Sequence, residues 1–300
     1  MKFSIILPTY NRAESFLSRA IESVINQTYI DWELIIIDNN SIDNTKNLIE
    51  SYKNNQIKLY NISNNGNIAK SRNLGISKAS GDYIAFLDSD DYWDQNKLKK
   101  SFTILTNNPI YDGLCHAEYW LYPDGYKLTK KYGPKEFFSS ESLLMRGNSV
   151  SLSAMVIRKK KIEEINRFSE QTEIITAEDY DLWIRLAGIG TKIAFTDESL
   201  GYYQIHNLSE SSNILRNTEA VISVIKSHLN DKSDQLNLAL SNCWINAGKQ
   251  FYLNHSNSEA LRAYSKSITY DCKNIKAYIL IIGLIIPVKL YKYLVKLKNI

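Results

Sequence analysis

Residues 81–91 read Gly-Asp-Tyr-Ile-Ala-Phe-Leu-Asp-Ser-Asp-Asp, so that an apolar run ends abruptly in clustered carboxylates. The apolar residues 83–87 predict a buried strand of a parallel sheet. In open α/β sheets, ligands bind just beyond the carboxyl ends of the strands. Carboxylates crowded at that edge repel one another unless a cation lies among them, and oxygen ligands favour Mg²⁺ or Mn²⁺, which would in turn hold a diphosphate. From these residues alone, a helix N-cap or an Asp-rich turn is the alternative.

Predicted strands and helices alternate around this stretch. Short apolar runs indicate strands, and apolar residues at three- and four-residue spacing indicate helices. Strands are predicted at residues 3–7, 33–37, 57–61 and 83–87, and helices at 13–26, 44–53 and 68–78. The alternation predicts βαβ units and an α/β fold with a mostly parallel sheet. Right-handed crossovers would bring to one edge the polar residues that follow the strands, which are Thr9-Tyr10-Asn11, Asp38-Asn39-Asn40 and Asp88-Ser89-Asp90.

The second half of the chain has a looser pattern and then becomes all-helical. Further strands are predicted at residues 115–121, 149–157 and 192–195, with a turn at 123–125 and a helix at 177–186. Helical patterns that could pair as hairpins follow at 215–229, 234–254 and 258–268. We therefore expect two domains, an α/β domain at 1–212 and a helical C-terminal region at 213–300.

Composition excludes several classes of protein. The net charge of +4 over 300 residues is too small to indicate nucleic-acid binding. Cys115, Cys243 and Cys272 are widely spaced and odd in number, so they form neither a metal motif nor a disulfide framework and indicate a reducing compartment. The N-terminus runs straight into a strand pattern without a secretory signal, so we expect a cytoplasmic location.

The C-terminal segment is apolar and then basic. Residues 277–288 are strongly apolar but short of the ~20 that a membrane helix needs. Lysines follow at Lys289, Lys292, Lys296 and Lys298, and no acidic residue occurs after Asp271. Such a tail could lie on the anionic inner face of the cell membrane as a peripheral anchor. The alternative is a core helix with a solvated basic end.

Several ordered motifs resemble the family 2 glycosyltransferases, which have the GT-A fold. The resemblance covers about residues 3–210. It rests on residues 5–12 (Ile-Ile-Leu-Pro-Thr-Tyr-Asn-Arg), 27–29 (Gln-Thr-Tyr), 32–41 (Trp-Glu-Leu-Ile-Ile-Ile-Asp-Asn-Asn-Ser), 43–45 (Asp-Asn-Thr), Ala69, 72–75 (Arg-Asn-Leu-Gly), 81–91 and 177–187 (Ala-Glu-Asp-Tyr-Asp-Leu-Trp-Ile-Arg-Leu-Ala).

The resemblance implies a site for a nucleotide-diphosphate sugar. Asp38 matches the family's base-binding acid, although Asn39 stands where many relatives carry a second Asp. Arg72 could reach the nucleotide or diphosphate with its planar fork, a solvated surface arginine being the alternative. The remaining implied donor-binding residues are Pro8, Thr9, Tyr10 and Asn11 at the nucleotide pocket, where the Tyr10 ring could stack on uracil, and Asp88, Ser89 and Asp90 of the DxD motif.

The resemblance also implies a divalent metal, Mn²⁺ or Mg²⁺. It places Asp88 near the ribose and Asp90 on the metal, with Asp91 as a buttress. His206 matches a segment that can close over the diphosphate, where an imidazole could ligate the metal or bind phosphate. A structural histidine is the alternative.

Glu178 and Asp179 match the family's catalytic acidic pair. The resemblance assigns the base to Asp179, because an acceptor hydroxyl loses its proton as it attacks the anomeric carbon. The alternative is two helix-start acids that interact favourably with the helix dipole. Trp183 lies one turn later and is a candidate for the acceptor pocket, with core packing as its alternative.

The predicted function is therefore that of an inverting glycosyltransferase. It would move one sugar from a UDP-hexose or UDP-N-acetylhexosamine to a hydroxyl of a lipid-linked glycan acceptor, in O-antigen, capsule or lipopolysaccharide biosynthesis. A non-catalytic nucleotide-sugar-binding scaffold is the alternative. A dehydrogenase or P-loop enzyme is disfavoured, because no Gly-x-Gly-x-x-Gly or Gly-x-x-x-x-Gly-Lys loop follows the first strand.

Overall fold

The computed structural model describes residues 1–206, 213–229 and 233–286. The chain divides into two compact units. The first unit comprises Met1–Ser140 and Ser149–Ser209, and the second unit comprises Glu141–Asn148 and Glu210–Ile300.

The first unit is an α/β structure built around one sheet. Its strands are β1 (Phe3–Thr9), β2 (Trp32–Asp38), β3 (Ile57–Asn61), β4 (Tyr83–Phe86), β5 (Tyr92–Trp93), β6 (Gly113–Leu121), β7 (Lys127–Lys130), β8 (Met155–Arg158) and β9 (Ile193–Gln204). Its helices are α1 (Leu17–Ile25), α2 (Thr45–Ser51), α3 (Ile68–Lys78), α4 (Lys97–Asn107), α6 (Lys159–Glu164) and α7 (Glu178–Gly188). Helix α5 (Ser140–Arg146) belongs to the second unit apart from its first residue.

The sheet has the strand order β3-β2-β1-β4-β8-β6-β9-β5, with β7 paired to β6. The four N-terminal strands are parallel to one another, as predicted from the βαβ pattern. All seven residues of β1 and all seven of β2 are buried, since helices cover both faces of a parallel sheet. Helix α3 packs so closely on this sheet that a Cβ on Gly75 would overlap the side chain of Ile6.

Two strands differ from their predicted bounds by more than two residues. The strand predicted at 149–157 begins only at Met155, because the preceding serines form a loop whose Ser153 carbonyl accepts hydrogen bonds from Trp93 Nε1 and Lys97 Nζ. The strand predicted at 192–195 extends to Gln204, because its second half pairs in parallel with β6 after an irregularity near Ala117. Contacts with segments that are distant in sequence determine both bounds.

The second unit contains α8 (Ile214–His228), α9 (Asp234–Leu253), α10 (Asn257–Tyr270) and α11 (Ile275–Gly283). Its three predicted helices are confirmed, and small residues such as Gly248 let α9 approach the Tyr264 ring of α10 closely. None of the helices in the described ranges is both long and apolar enough to span a bilayer. The predicted basic tail, from Pro287 onward, lies outside the described residues.

Candidate functional site

The carboxyl ends of β1 and β2 meet in register, Thr9 beside Asp38. The Asp38 carboxylate is buried and accepts hydrogen bonds from Ser41, whose hydroxyl lies 2.5 Å from Oδ1. Asn11 adopts a left-handed conformation (φ 50°), which asparagine tolerates well, and receives the Ile42 N–H on its Oδ1 at 2.9 Å. Tyr10 between them is 52% exposed, so its ring is available to a ligand.

A cavity of about 540 Å³ opens next to these strand ends. Asn11 is the one predicted site residue among those that line it, and sequence reasoning missed the others. Its lining residues are Asn11, Glu14, Ser15, Ile42 and Asp43. Asp43 could have been predicted as a lining residue, because the run Asp43-Asn44-Thr45 belongs to the motifs that carry the family resemblance.

Asn39 connects β2 to the loop before α3. Its Oδ1 accepts the Asn64 N–H at 2.9 Å, and its own N–H donates to the Thr9 carbonyl at 3.0 Å. Farther along the same loop, Asn67 caps the N-terminus of α3, where its side chain accepts the Ala69 N–H at 3.1 Å. The side-chain oxygen at position 39 therefore links the end of β2 to the loop before α3, a contact that a carboxylate oxygen could also accept.

Arg72 is the centre of a buried charge cluster. It is 4% exposed, so the solvated-arginine alternative is wrong. Its Nη2 donates to Asp88 Oδ1 at 2.9 Å and its Nη1 to Glu178 Oε1 at 2.5 Å. Burial opposes the charged form of the guanidinium, but the charges of Asp88 and Glu178 outweigh it and raise the pKa of Arg72. The cluster joins α3, the end of β4 and the start of α7.

Asp179 lies beside this cluster and titrates near neutrality. Burial, followed by the negative charge of Glu178, raises the pKa of Asp179 to about 7, against the opposing influence of Arg72. The preceding turn places Thr176 at φ 85°, which is unfavourable for a β-branched residue, and the Thr176 N–H donates to Glu178 Oε2 at 2.8 Å. Glu178 is thus bound on both oxygens, while Asp179 Oδ1 accepts the Tyr180 N–H at 2.7 Å.

Asp90 pairs with His206 at the end of β9. The distance between Asp90 Oδ2 and His206 Nε2 is 2.9 Å, and the imidazole stacks on Phe16 with ring centroids 4.7 Å apart. Burial and the Asp88 charge raise the pKa of Asp90, while His206 opposes them. The buried Asp91 accepts the Gln204 N–H at 3.1 Å, which fixes the strand end two residues before His206. Sequence reasoning did not foresee the role of Phe16.

Ser153 contacts the backbone at the start of the DxD motif. Its hydroxyl accepts the Asp88 N–H at 3.2 Å. The same hydroxyl partly offsets the strong rise in the Asp91 pKa, of which burial is the largest cause. Its carbonyl accepts a hydrogen bond from Nζ of the buried Lys97 at 2.6 Å, and that atom lies 3.5 Å from the Trp93 ring centre. Ser89, between the two acidic DxD residues, is half-buried.

The residues around Asp90 fit a divalent cation bound together with a diphosphate. No group of three or more His, Cys, Asp or Glu side chains in the described part of the chain is arranged to hold a metal by itself. Mg²⁺-type sites, however, commonly use one or two carboxylates and complete their coordination with substrate phosphates. Burial and then the negative charge of Asp88 raise the pKa of Asp90, and a bound cation would favour the ionised carboxylate against both.

Trp183 is separate from these groups. Its side chain is fully buried in α7, which favours the packing alternative over contact with an acceptor. The structure thus brings the predicted residues together in three neighbouring sets at the ends of the parallel strands. They are Thr9, Tyr10, Asn11 and Asp38 at β1 and β2, Arg72, Asp88, Glu178 and Asp179 around the guanidinium, and Asp90 with His206.

Comparison with known proteins identifies a family. Residues 4–162 match the family described as Glycosyl transferase family 2. This range includes Asp38, Arg72 and Asp90, whereas Asp179 and His206 lie beyond it. A similar curated protein is the E. coli UDP-Glc:alpha-D-GlcNAc-diphosphoundecaprenol beta-1,3-glucosyltransferase WfgD, 32% identical over 183 residues, which are 61% of this chain and 68% of the relative.

Two solved structures share the fold, as the predicted GT-A class requires. One is S. aureus TarS 1–349 in complex with UDP-GlcNAc, with 20% identity, coverage of 90% of this chain and 81% of that one, and a TM-score of 0.64. The other is the mannosyltransferase PcManGT from Pyrobaculum calidifontis in complex with GDP-Man and Mn²⁺, with 14% identity, coverage of 97% and 82%, and a TM-score of 0.64. At these identities the likeness concerns the fold alone.

Proposed function

Because the chain belongs to glycosyl transferase family 2, we propose that it transfers a single sugar, with inversion, from a UDP-hexose or UDP-N-acetylhexosamine to a hydroxyl of a lipid-linked glycan. The product would belong to a bacterial surface polysaccharide of the O-antigen or capsule type. The donor and acceptor classes named for WfgD support this assignment.

The observation that carries the proposal is the position of Asp179 beside the Arg72 cluster. A carboxylate with a pKa raised to about 7 is available as a base near neutral pH. Arg72 connects Glu178, the residue before Asp179, to Asp88 of the DxD motif. Arg72 therefore connects the start of α7, which carries Asp179, to the donor-binding end of β4.

In the proposed reaction, Asp179 accepts the proton of the acceptor hydroxyl. The acceptor oxygen forms a bond to the anomeric carbon while the bond from that carbon to the diphosphate oxygen breaks on the opposite face. The nucleoside diphosphate leaves with the electron pair, and an α-linked donor gives a β-linked product. Glu178 holds the start of α7 in place through Arg72 and the Thr176 N–H.

The nucleotide would lie at the ends of β1 and β2. Pro8, Thr9, Tyr10 and Asn11 would surround the base, and Tyr10 offers an exposed ring for stacking. In the donor complex, Asp38 would exchange a Ser41 contact for the imide N–H of uracil. Asp88 and Ser89 would face the ribose, and Asp90 with His206 would hold Mn²⁺ or Mg²⁺, which supplies positive charge against the departing diphosphate.

A binding screen of the full chain against nucleotide-sugars, with and without Mn²⁺, tests the proposal. We expect one UDP-sugar to bind with clear metal dependence, and the bound donor then to be consumed in the presence of a short-chain lipid-diphosphate sugar acceptor. A folded protein that binds no donor would refute the enzyme assignment. Metal-dependent binding without transfer to any acceptor of that panel would favour the scaffold alternative.

A further inference from the structure

Helix α11 is apolar on two opposite faces, of which one is packed against other helices and the other is exposed. Its inner residues recur at helical spacing from Ala277, which is fully buried. Leu280, Ile281 and Leu284 continue that face and pack against a core cluster of Tyr252, Ala260 and Tyr264. The inner face therefore explains how α11 is held in the second unit.

The opposite face of α11 is apolar and exposed to solvent. It consists of Ile275, Tyr278, Ile279 and Ile282, and we call these four residues the outer face. Their exposed fractions are 70%, 43%, 62% and 69%. Single exposed apolar residues are ordinary, but a continuous row at three- and four-residue spacing marks an interaction surface. Ile285, which follows the helix, extends the row and is 85% exposed.

The charge around the outer face is mostly positive, with Asp271 just before α11 as a nearby carboxylate that accepts the Lys273 N–H. Lys273 and Lys276 are exposed beside it. From residue 272 to the end of the sequence there are six lysines and no Asp or Glu. Lys249 on α9 is near enough to Lys276 for that positive charge, after burial, to lower its pKa.

We propose that the outer face of α11 binds the surface of an anionic lipid bilayer. The isoleucines would enter the interfacial region, Tyr278 would lie at the level of the headgroups, and the lysines would bind lipid phosphates. The charge argues against a second copy of this chain as the occupant, because two such faces would bring like charges together. Binding of this kind requires no spanning helix and would keep the chain at the surface where a lipid-linked acceptor resides.

Vesicle flotation of the full chain tests this proposal. We expect it to float with vesicles of phosphatidylcholine and phosphatidylglycerol, much less with phosphatidylcholine alone, and less at high salt. The double variant Ile279→Gln/Ile282→Gln should bind the anionic vesicles about tenfold more weakly. Lys273→Gln/Lys276→Gln should reduce binding to anionic vesicles only. The matched control is Ile30→Gln/Ile110→Gln, at positions 81% and 62% exposed in the first unit, which should bind as the parent does.

Two results would overturn the inference. One is equal flotation of the parent and the Ile279→Gln/Ile282→Gln variant. The other is a parent chain that floats with neither vesicle, as expected if a second copy or other residues of the chain cover the outer face. UDP-sugar binding measured on the same variants should not change, so a failure of the membrane proposal is distinguishable from a failure of the proposed function.

Discussion

Nη1 of Arg72 lies 2.5 Å from Oε1 of Glu178, a residue 106 positions later in the chain. The side chains of both are more than nine-tenths buried, at 5% and 8% exposure. A surface pair of this kind contributes little, but a buried pair that loses one partner leaves an uncompensated charge. The contact therefore makes the start of α7 depend on a single residue of α3.

Replacing Arg72 by Met should destabilise the first unit strongly. Asp88 and Glu178 would lose their common counter-charge, at a cost of about 3–5 kcal/mol in the free energy of unfolding. Urea unfolding followed by tryptophan fluorescence measures it. The control is Lys131→Met, which breaks an ion pair whose partners are 60% and 73% exposed and should cost less than about 1 kcal/mol. Equal stability of the two variants would show that the Arg72 contacts contribute no more than a surface pair.

Replacing Asp179 by Asn should abolish transfer without abolishing donor binding. Asn keeps the shape of the side chain but does not accept a proton, and loss of a general base costs about 10²–10⁴-fold in rate. Transfer is measured by release of the nucleoside diphosphate, and donor binding by calorimetry. Asp197→Asn, at an exposed position, is the control. A variant that retains full transfer would remove Asp179 from the mechanism.

The pH profile should report Asp179. The base acts only when ionised, so kcat/KM should rise with pH and level off above about 7, where the pKa of Asp179 is placed by burial and by Glu178. In Glu178→Gln the nearby negative charge is gone, and Arg72 continues to favour the ionised form, so the acidic limb should move to lower pH. Glu163→Gln on α6 should leave the limb in place. An unchanged limb in Glu178→Gln would assign it to another group.

The same carboxyl should make the protein less stable as the pH rises. Its pKa is raised from 3.8 to about 7 in the folded chain, so the folded state binds its proton more tightly than the unfolded state does. The stability linked to this proton is complete below the unfolded pKa and is lost as the pH rises through the folded pKa. Asp179→Asn should therefore unfold at higher urea than the parent near pH 8, with a difference that shrinks toward pH 4. A difference independent of pH would contradict the assignment.

The parallel half of the sheet could be predicted from sequence because its signal is local. The bounds of β3 and α3 agree with the predicted residues 57–61 and 68–78. A continuous apolar run, as in β1 and β2, predicts a strand that is buried on both faces, because a strand with one exposed face would alternate apolar and polar residues. The polar residues at their carboxyl ends do meet, as the right-handed crossover rule implies.

The remaining features depend on contacts between distant segments, which local patterns do not encode. Nothing in the residues around Arg72 distinguishes a buried ion pair from a solvated arginine, since its partners come from β4 and α7. The extension of β9 to Gln204 follows from pairing with β6. The stacking of Phe16 on His206 likewise joins residues that are far apart in the sequence of the first unit. Trp183 shows the converse, because a family resemblance suggested an acceptor role for a side chain that packs in the core.

Asp90 and His206 should control the metal dependence of donor binding. Asp90→Asn removes the carboxylate charge that we propose binds the metal, and His206→Ala removes both the imidazole and its 2.9 Å contact with Asp90. We expect each variant to require about tenfold more Mn²⁺ for UDP-sugar binding, as typical for loss of a ligand or of the group that orients it. Calorimetric donor titrations at several Mn²⁺ concentrations measure this without relying on turnover. His255→Asn, which preserves the left-handed backbone at φ 61°, is the control histidine. If all three variants show the parent's Mn²⁺ requirement, the cation lies elsewhere or donor binding is independent of it.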